Sequence, residues 1–342
     1  MERQITHLVS NAKWPLVCVL ALGAALLLMG NALPPSQQLS AFGNIYMIQG
    51  KQLVEVHVPI IGGTSRGGTP STKPIRDDVS QLFDWQEVEE GTRFLVSLGS
   101  LTPSTQGEAL HGSDLVLLDE RGQKRLIGRS VVVASFSPDG KEVAYITDSR
   151  ALMVKTLAGE MLAAVQGAVQ FSWSTDGRKI VFTQAAPEQS DERAIGLLDL
   201  STKQAYRLTT GQVDYSPVFD PSGKWILFIN AGRTRIGSFW ALSVTGGAPI
   251  QLTNVGVQQV DERVVPIPNS TAQWSPDGTT LLYDCCRQDG RSNIWTLKFD
   301  PTGPGISSAK LLSEGSAPRW LDSDHIVVEG NANTFTVLEA YQ

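Results

Sequence analysis

The chain has 342 residues, 42% of them hydrophobic, so it can bury a sizeable core. Its formal net charge is −6, and apart from Arg3 and Lys13 its basic residues are scattered. That distribution excludes the positive footprint that nucleic acid requires.

The N-terminus opens with Arg3 and Lys13 against one acid, Glu2, and no charge follows from Trp14 to Gly50. Residues 14–33 form the apolar stretch and predict a membrane-directed helix, either an uncleaved transmembrane anchor or a signal segment. The length of the run favours an anchor, although Gly30-Asn31-Ala32 offers a cleavage site. Positive charge ahead of the segment places residues 1–13 in the cytoplasm and the rest outside the cytoplasmic membrane. The alternative is a periplasmic or secreted protein after cleavage. Residues 34–42, which include Pro34-Pro35-Ser36-Gln37-Gln38, read as a linker, and 43–342 as a single all-β domain.

The first strands form a hairpin-like pair, Asn44 to Ile48 and Leu53 to Val58, around Gly50-Lys51. A Gly/Ser/Thr-rich stretch, Gly62 to Thr72, follows as a surface loop. Within it Gly63-Thr64-Ser65-Arg66-Gly67 matches the G-x-S-x-G of hydrolases. That serine needs a strand-to-helix turn, and the residues after Gly67 do not start a helix.

Four turns then carry the architecture: Phe136-Ser137-Pro138-Asp139-Gly140, Trp173-Ser174-Thr175-Asp176-Gly177, Phe219-Asp220-Pro221-Ser222-Gly223 and Trp274-Ser275-Pro276-Asp277-Gly278. Pro presets φ, Ser bonds back to the backbone and Gly is favoured at the fourth position of a type I turn. Each leads into an apolar run such as Val143-Ala144-Tyr145 or Ile226-Leu227-Phe228. The glycines at 140, 177, 223 and 278 are separated by 37, 46 and 55 residues. Blades of four strands take roughly 40–50 residues. A second strand pair completes each unit, as in Ile195 to Leu200 with Tyr206 to Thr209, or Phe239 to Val244 with Ile250 to Thr253. Degenerate units begin at Trp85 and Trp320. The expectation is a six-bladed β-propeller of four-stranded antiparallel blades. Five blades are near-complete and one is assembled from both chain ends, which removes exposed edges.

These turns, with the later Ile-Trp-x-Leu half of the unit at Ile294 to Leu297, resemble the TolB-type, WD-repeat-like propellers of bacterial envelopes. They are similarly like the propeller domain of prolyl-oligopeptidase-type proteases. The resemblance runs from about Ile45 to Leu338 and implies the propeller alone, without the α/β domain that precedes it in TolB.

Candidate chemistry is sparse. His7, His57, His111 and His325 show no metal-ligand spacing. Cys285-Cys286 reads as one inward and one outward side chain, with a vicinal disulfide as the alternative. Asp119-Glu120-Arg121, Asp191-Glu192-Arg193 and Asp261-Glu262-Arg263 fall at unlike places in their blades and read as solvated loop charge. No cofactor or metal is expected. In a four-stranded blade, the short turns share one end of the ring and the long connections share the other. The long segments are 184–193, 230–238, 254–270 and 284–292. Binding concentrates on long loops carried by a rigid scaffold. The candidate partner-binding residues are therefore Arg233, Arg235, Asp261, Glu262, Arg263, Arg287, Asp289 and Arg291. The expected function is a non-catalytic, extracytoplasmic interaction module, an accessory subunit of a membrane or envelope complex. The alternatives are a metal-dependent propeller hydrolase or lyase, and a small-ligand or glycan binder using Trp240 and Trp295.

Overall fold

The computed structural model describes residues 44–49, 51–57, 71–88, 91–98, 113–186, 192–210, 213–230, 238–252, 272–286, 292–320, 324–329 and 335–340. Within them the chain is built from antiparallel strands. The alternating, β-branched and aromatic runs between turn residues leave the backbone no better way to satisfy its hydrogen bonds.

The first sheet joins β1 (Asn44–Gln49), β2 (Gln52–His57) and β3 (Ser71–Arg76). A seven-stranded sheet follows: β4 (Val79–Val88), β5 (Gly91–Leu98), β6 (Ser113–Asp119), β7 (Lys124–Phe136), β8 (Glu142–Thr147), β9 (Ala151–Thr156) and β10 (Met161–Gln166). It is two blades sharing one strand. The first part of β7 pairs with β6 and the second part with β8. Between them Ser130 takes a positive φ of 53°, which turns the strand from the outside of one blade to the inside of the next.

Three four-stranded sheets come next, each in chain order. They are β11 (Ala168–Trp173), β12 (Lys179–Ala185), β13 (Arg193–Asp199), β14 (Gln204–Arg207); β15 (Asp214–Phe219), β16 (Trp225–Asn230), β17 (Ser238–Ser243), β18 (Ile250–Gln251); and β19 (Gln273–Trp274), β20 (Thr280–Cys286), β21 (Ser292–Asp300), β22 (Gly305–Glu314). The last sheet holds β23 (Ser316–Trp320), β24 (His325–Glu329) and β25 (Phe335–Glu339).

The core lies between neighbouring sheets. Tyr46 and Leu53 pack on Trp85 and Phe94, Phe83 and Leu95 on Phe136 and Tyr145, and Ile146 and Leu152 on Trp173 and Phe182. The series continues with Val181 and Ile195 on Phe228, Leu227 and Phe239 on Tyr283, and Leu282 and Ile294 on Trp320 and Ile326. Face-to-face stacking of successive twisted sheets is the packing of a propeller. Burial also grades outward. The exposed large hydrophobics Leu126, Met161, Tyr206, Ile250 and Leu311 each sit on the outermost strand of a different blade.

The blade expected from both chain ends takes another form. Strands from the two ends lie in separate three-stranded sheets, β1–β3 and β23–β25, so among the described residues there are seven blade-like groups. The short link between β3 and β4 explains this. Only Asp77 and Asp78 separate them, so the first strands are committed to a sheet beside β4. Among the described residues no helix is long and apolar enough to cross a membrane, and residues 14–33 lie outside them.

Candidate interaction face

The two ends of the blades differ in construction. At one end lie the signature turns, and their chemistry repeats. In three of them the Ser hydroxyl donates to the Asp two residues on: Ser137 to Asp139 at 2.8 Å, Ser174 to Asp176 at 2.7 Å and Ser275 to Asp277 at 2.5 Å. The same hydroxyl accepts the backbone N–H that starts the next strand, from Glu142, Lys179 or Thr280. The fourth turn reverses the pair. Asp220 stands in the Ser place and accepts from Ser222 Oγ at 2.5 Å and from Trp225 N at 2.7 Å. All four glycines take φ between +68° and +71°, which favours Gly at each.

Successive turns also touch. Gln86 Nε2 donates to the Pro138 carbonyl at 3.4 Å and lies against Gly140. Pro138 borders Gly177, and Thr175 Oγ1 donates to the Pro221 carbonyl at 3.4 Å. Pro221 packs on Gly278. The turn carboxylates therefore serve the turns themselves. For Asp139, burial raises the pKa, but hydrogen bonds from Lys141 and Ser137 outweigh it and hold the group below its usual value. Asp176 and Asp277 are lowered in the same way, against burial, by Ser174 with Arg178 N and by Ser275 with Thr279.

The opposite end carries the long connections. Register pairs Ala185 with Arg193, Asn230 with Ser238 and Cys286 with Ser292, so three long connections leave from equivalent hairpin stems. Inner strands reach this end through bulges: the register shifts near the strand start in β4, β11, β15 and β23, and at the start of the inner part of β7. A bulge adds a residue and increases the local twist, re-aiming the side chains beside it.

A polar cluster forms where the β11–β14 and β15–β18 blades meet at this end. Asp214, Asn230 and Ser238 are fully buried in one cross-strand row, and Asn230 Nδ2 donates to Asp214 Oδ1 at 2.5 Å. Trp240 Nε1 donates to Ser238 Oγ at 2.8 Å. Gln170 ties the blades together, its Oε1 accepting from Ser216 N at 2.9 Å. Val213 and Ser216 both hold positive φ, 45° and 51°, an expensive conformation for residues with a Cβ. Burial pushes the Tyr215 hydroxyl up to about 12, opposed by the charge of Arg193. Sequence reading passed over Gln170, Asp214 and Ser216. Their signal was present in Asp214, an acidic side chain at the start of an inner strand, where β11 carries Ala168 and the inner part of β7 carries Val131.

Arg233, Arg235, Asp261, Glu262, Arg263, Arg287, Asp289 and Arg291 all lie outside the described residues, as do Ser65 and His111. The stems that carry Arg233, Arg235, Arg287, Asp289 and Arg291 share the end just described. Trp240 and Trp295 are half-buried and pack against the cores between blades. Among the described residues no three His, Cys, Asp or Glu side chains come together as a metal-binding group.

No protein-family model matches the sequence, and no curated protein sequence matches it. Solved structures match in shape. A chain from the mitotic checkpoint complex aligns over 91% of this chain and 90% of its own, with TM-score 0.58 and 11% identity. An oligogalacturonate lyase in complex with manganese aligns over 84% of this chain and 78% of its own, with TM-score 0.53 and 16% identity. TolB from Acinetobacter baumannii aligns over 76% of this chain and 79% of its own, with TM-score 0.47 and 17% identity. At such identities the likeness speaks for fold, and one propeller fold hosts many functions. Strand order, inter-sheet cores and the likenesses to the mitotic checkpoint chain and to the lyase together show a β-propeller fold.

Proposed function

We propose that this chain is a non-catalytic, extracytoplasmic propeller that binds a protein partner, as an accessory subunit of a membrane or envelope complex. The observation that carries this reading is the asymmetry of its two ends. At the signature-turn end, carboxylates and hydroxyls are consumed by their own turns and the turns close on one another. At the other end, hairpin stems lead into long segments that contain Arg233, Arg235, Arg287, Asp289 and Arg291, and Asp261, Glu262 and Arg263 fall in the connection between β18 and β19. A rigid scaffold bearing long charged connections suits recognition of a protein surface. Residues 14–33 would hold the propeller at the outer side of the cytoplasmic membrane, as charge and hydropathy favour.

The test is affinity capture of the tagged full-length protein from native membranes, compared with a variant carrying Asp261→Ala, Glu262→Ala and Arg263→Ala. One dominant membrane partner is expected, with at least a tenfold loss of capture in the variant and an unchanged melting temperature. Equal capture by the variant overturns the loop assignment, and no partner at all overturns the function.

A second reading is a divalent-metal-dependent lyase or hydrolase. Its support is the shared fold with an oligogalacturonate lyase whose structure contains manganese. Metal analysis of the purified protein decides it: a stoichiometric divalent ion favours this reading, and a metal-free protein removes it.

A further inference from the structure

The outermost strand of a blade has a bare edge, and a bare edge is a template for pairing with another chain unless something blunts it. Most outer strands here are blunted. β3 carries Lys73, Pro74 and Arg76, the first part of β7 carries Lys124 and Arg125, β14 carries Arg207, and β22 carries Lys310 and Glu314. β18 is only 2 residues long. β10 differs. Its run Met161-Leu162-Ala163-Ala164-Val165-Gln166 holds no charge and no proline.

β10 closes one end of the seven-stranded sheet and pairs with β9 alone. A register shift between Met161 and Ala163 bends its start, the one blunting device it has. Beyond it, Ala163 to Gln166 run opposite Val154 to Ala151 without interruption. Among the described residues the far edge of β10 meets no further strand. Met161 is 43% exposed beside it, and Ala164 and Gln166 are exposed too.

This edge matches a copy of itself. A second β10, turned end for end about Ala164, sets Ala164 opposite its own copy and Ala163 opposite Val165. Each residue then faces the same side of the sheet as its partner, as a two-fold axis through the edge requires. Ala163 and Val165 belong to the side packed on the next blade, and Ala164 lies on the exposed side. Apolar groups meet apolar groups, the central pair is small, and no like charges are opposed. The charge that precedes the strand, Glu160, would lie about 26 Å from its own copy, eight residues along a strand.

We propose that two copies of this chain join through β10, edge to edge and antiparallel about Ala164, so that one continuous sheet crosses from one propeller to the other. The joint lies on the outer rim, and it leaves the long connections of both copies open. A strand pair with little flanking surface makes a small interface, so one and two copies exchange as concentration changes.

The test starts with sedimentation of the full-length protein in detergent over a concentration series. A mass rising from one chain to two is expected, and one chain at every concentration overturns the proposal. Ala164→Lys, which sets two like charges face to face on an exposed position, should remain one chain throughout with an unchanged circular dichroism spectrum. A variant that still pairs assigns the dimer to another surface and overturns the proposal. Register is read by oxidation in a background with Cys18, Cys285 and Cys286 changed to Ser. Ala164→Cys should link two copies at least tenfold more completely than Gln166→Cys, whose copies would stand about 13 Å apart, too far for a disulfide. Equal linkage of the two variants, or none in either, overturns the antiparallel pairing, and linkage of Ala164→Cys to a different protein assigns the edge to a foreign strand.

Discussion

Phe182 and Gly196 face one another across β12 and β13, and the Phe182 ring occupies the space that a side chain on Gly196 would need. Gly128 and Tyr145 repeat the relationship at the junction of two blades, where a Cβ on Gly128 would come within 2.8 Å of the Tyr145 ring. A glycine under an aromatic ring lets the ring lie flat on the sheet and thins the blade, so that the neighbouring blade packs closely. Gly196→Ala should therefore destabilise the protein by about 1–3 kcal/mol through overpacking. Phe182→Leu should recover part of that loss in the double variant, a coupling that denaturant midpoints can read. Strict additivity would refute the packing account.

Indole hydrogen bonds between blades differ in kind. Trp274 Nε1 donates to the Phe219 carbonyl of the preceding blade at 2.8 Å. Trp173 Nε1 is buried without a hydrogen-bond partner. Trp274→Phe should cost about 1 kcal/mol more than Trp173→Phe, because only the first leaves a carbonyl unsatisfied. Thermal melts of the two variants settle the order.

The signature glycines allow backbone strain and crowding to be separated. Gly223 and Gly278 share the same backbone, with φ of +68° and +71°, but a Cβ on Gly223 meets nothing whereas one on Gly278 would lie 2.8 Å from Pro221 Cβ. Both Ala variants pay for the left-handed backbone, roughly 1 kcal/mol or more. Gly278→Ala should be the worse of the two, and equal losses would mean that contact between turns adds no stability.

Acid should weaken the turns. Hydrogen bonds hold the pKa values of Asp139, Asp176 and Asp277 below the usual carboxylate value in the folded protein. A depressed folded pKa contributes stability that is complete above the unfolded value of about 3.9 and is lost as pH falls through the folded one. Changing all three to Asn should lower stability at neutral pH and flatten the acid limb below about pH 4. An unchanged acid limb would assign acid unfolding to other carboxylates.

Much of the blade interior was legible in sequence because its determinants are local. The four signature turns fall where Ser, Pro, Asp and Gly set the backbone, and the hairpin around Gly50-Lys51 is β1 with β2. The long segments were legible as connections, and their described stems share one end. The Gln170–Ser216 tie and the Asp214–Asn230 pair were not, because each joins residues brought together by blade packing or by a bulge. Hydropathy gives no reason to bury Asp214, and its burial depends on the amide that Asn230 supplies from the adjacent strand.

The sequence by itself determined the strand–turn–strand repeat and hence the propeller type of fold, since turn geometry and period-two burial are properties of a few consecutive residues. Only the tertiary structure decided which strands share a sheet at the chain ends. That choice rests on the two-residue passage from β3 to β4 and on the packing of Tyr46 between Trp85 and Phe94. Both are matters of direction and distance, which a linear pattern of apolar and turn residues does not encode.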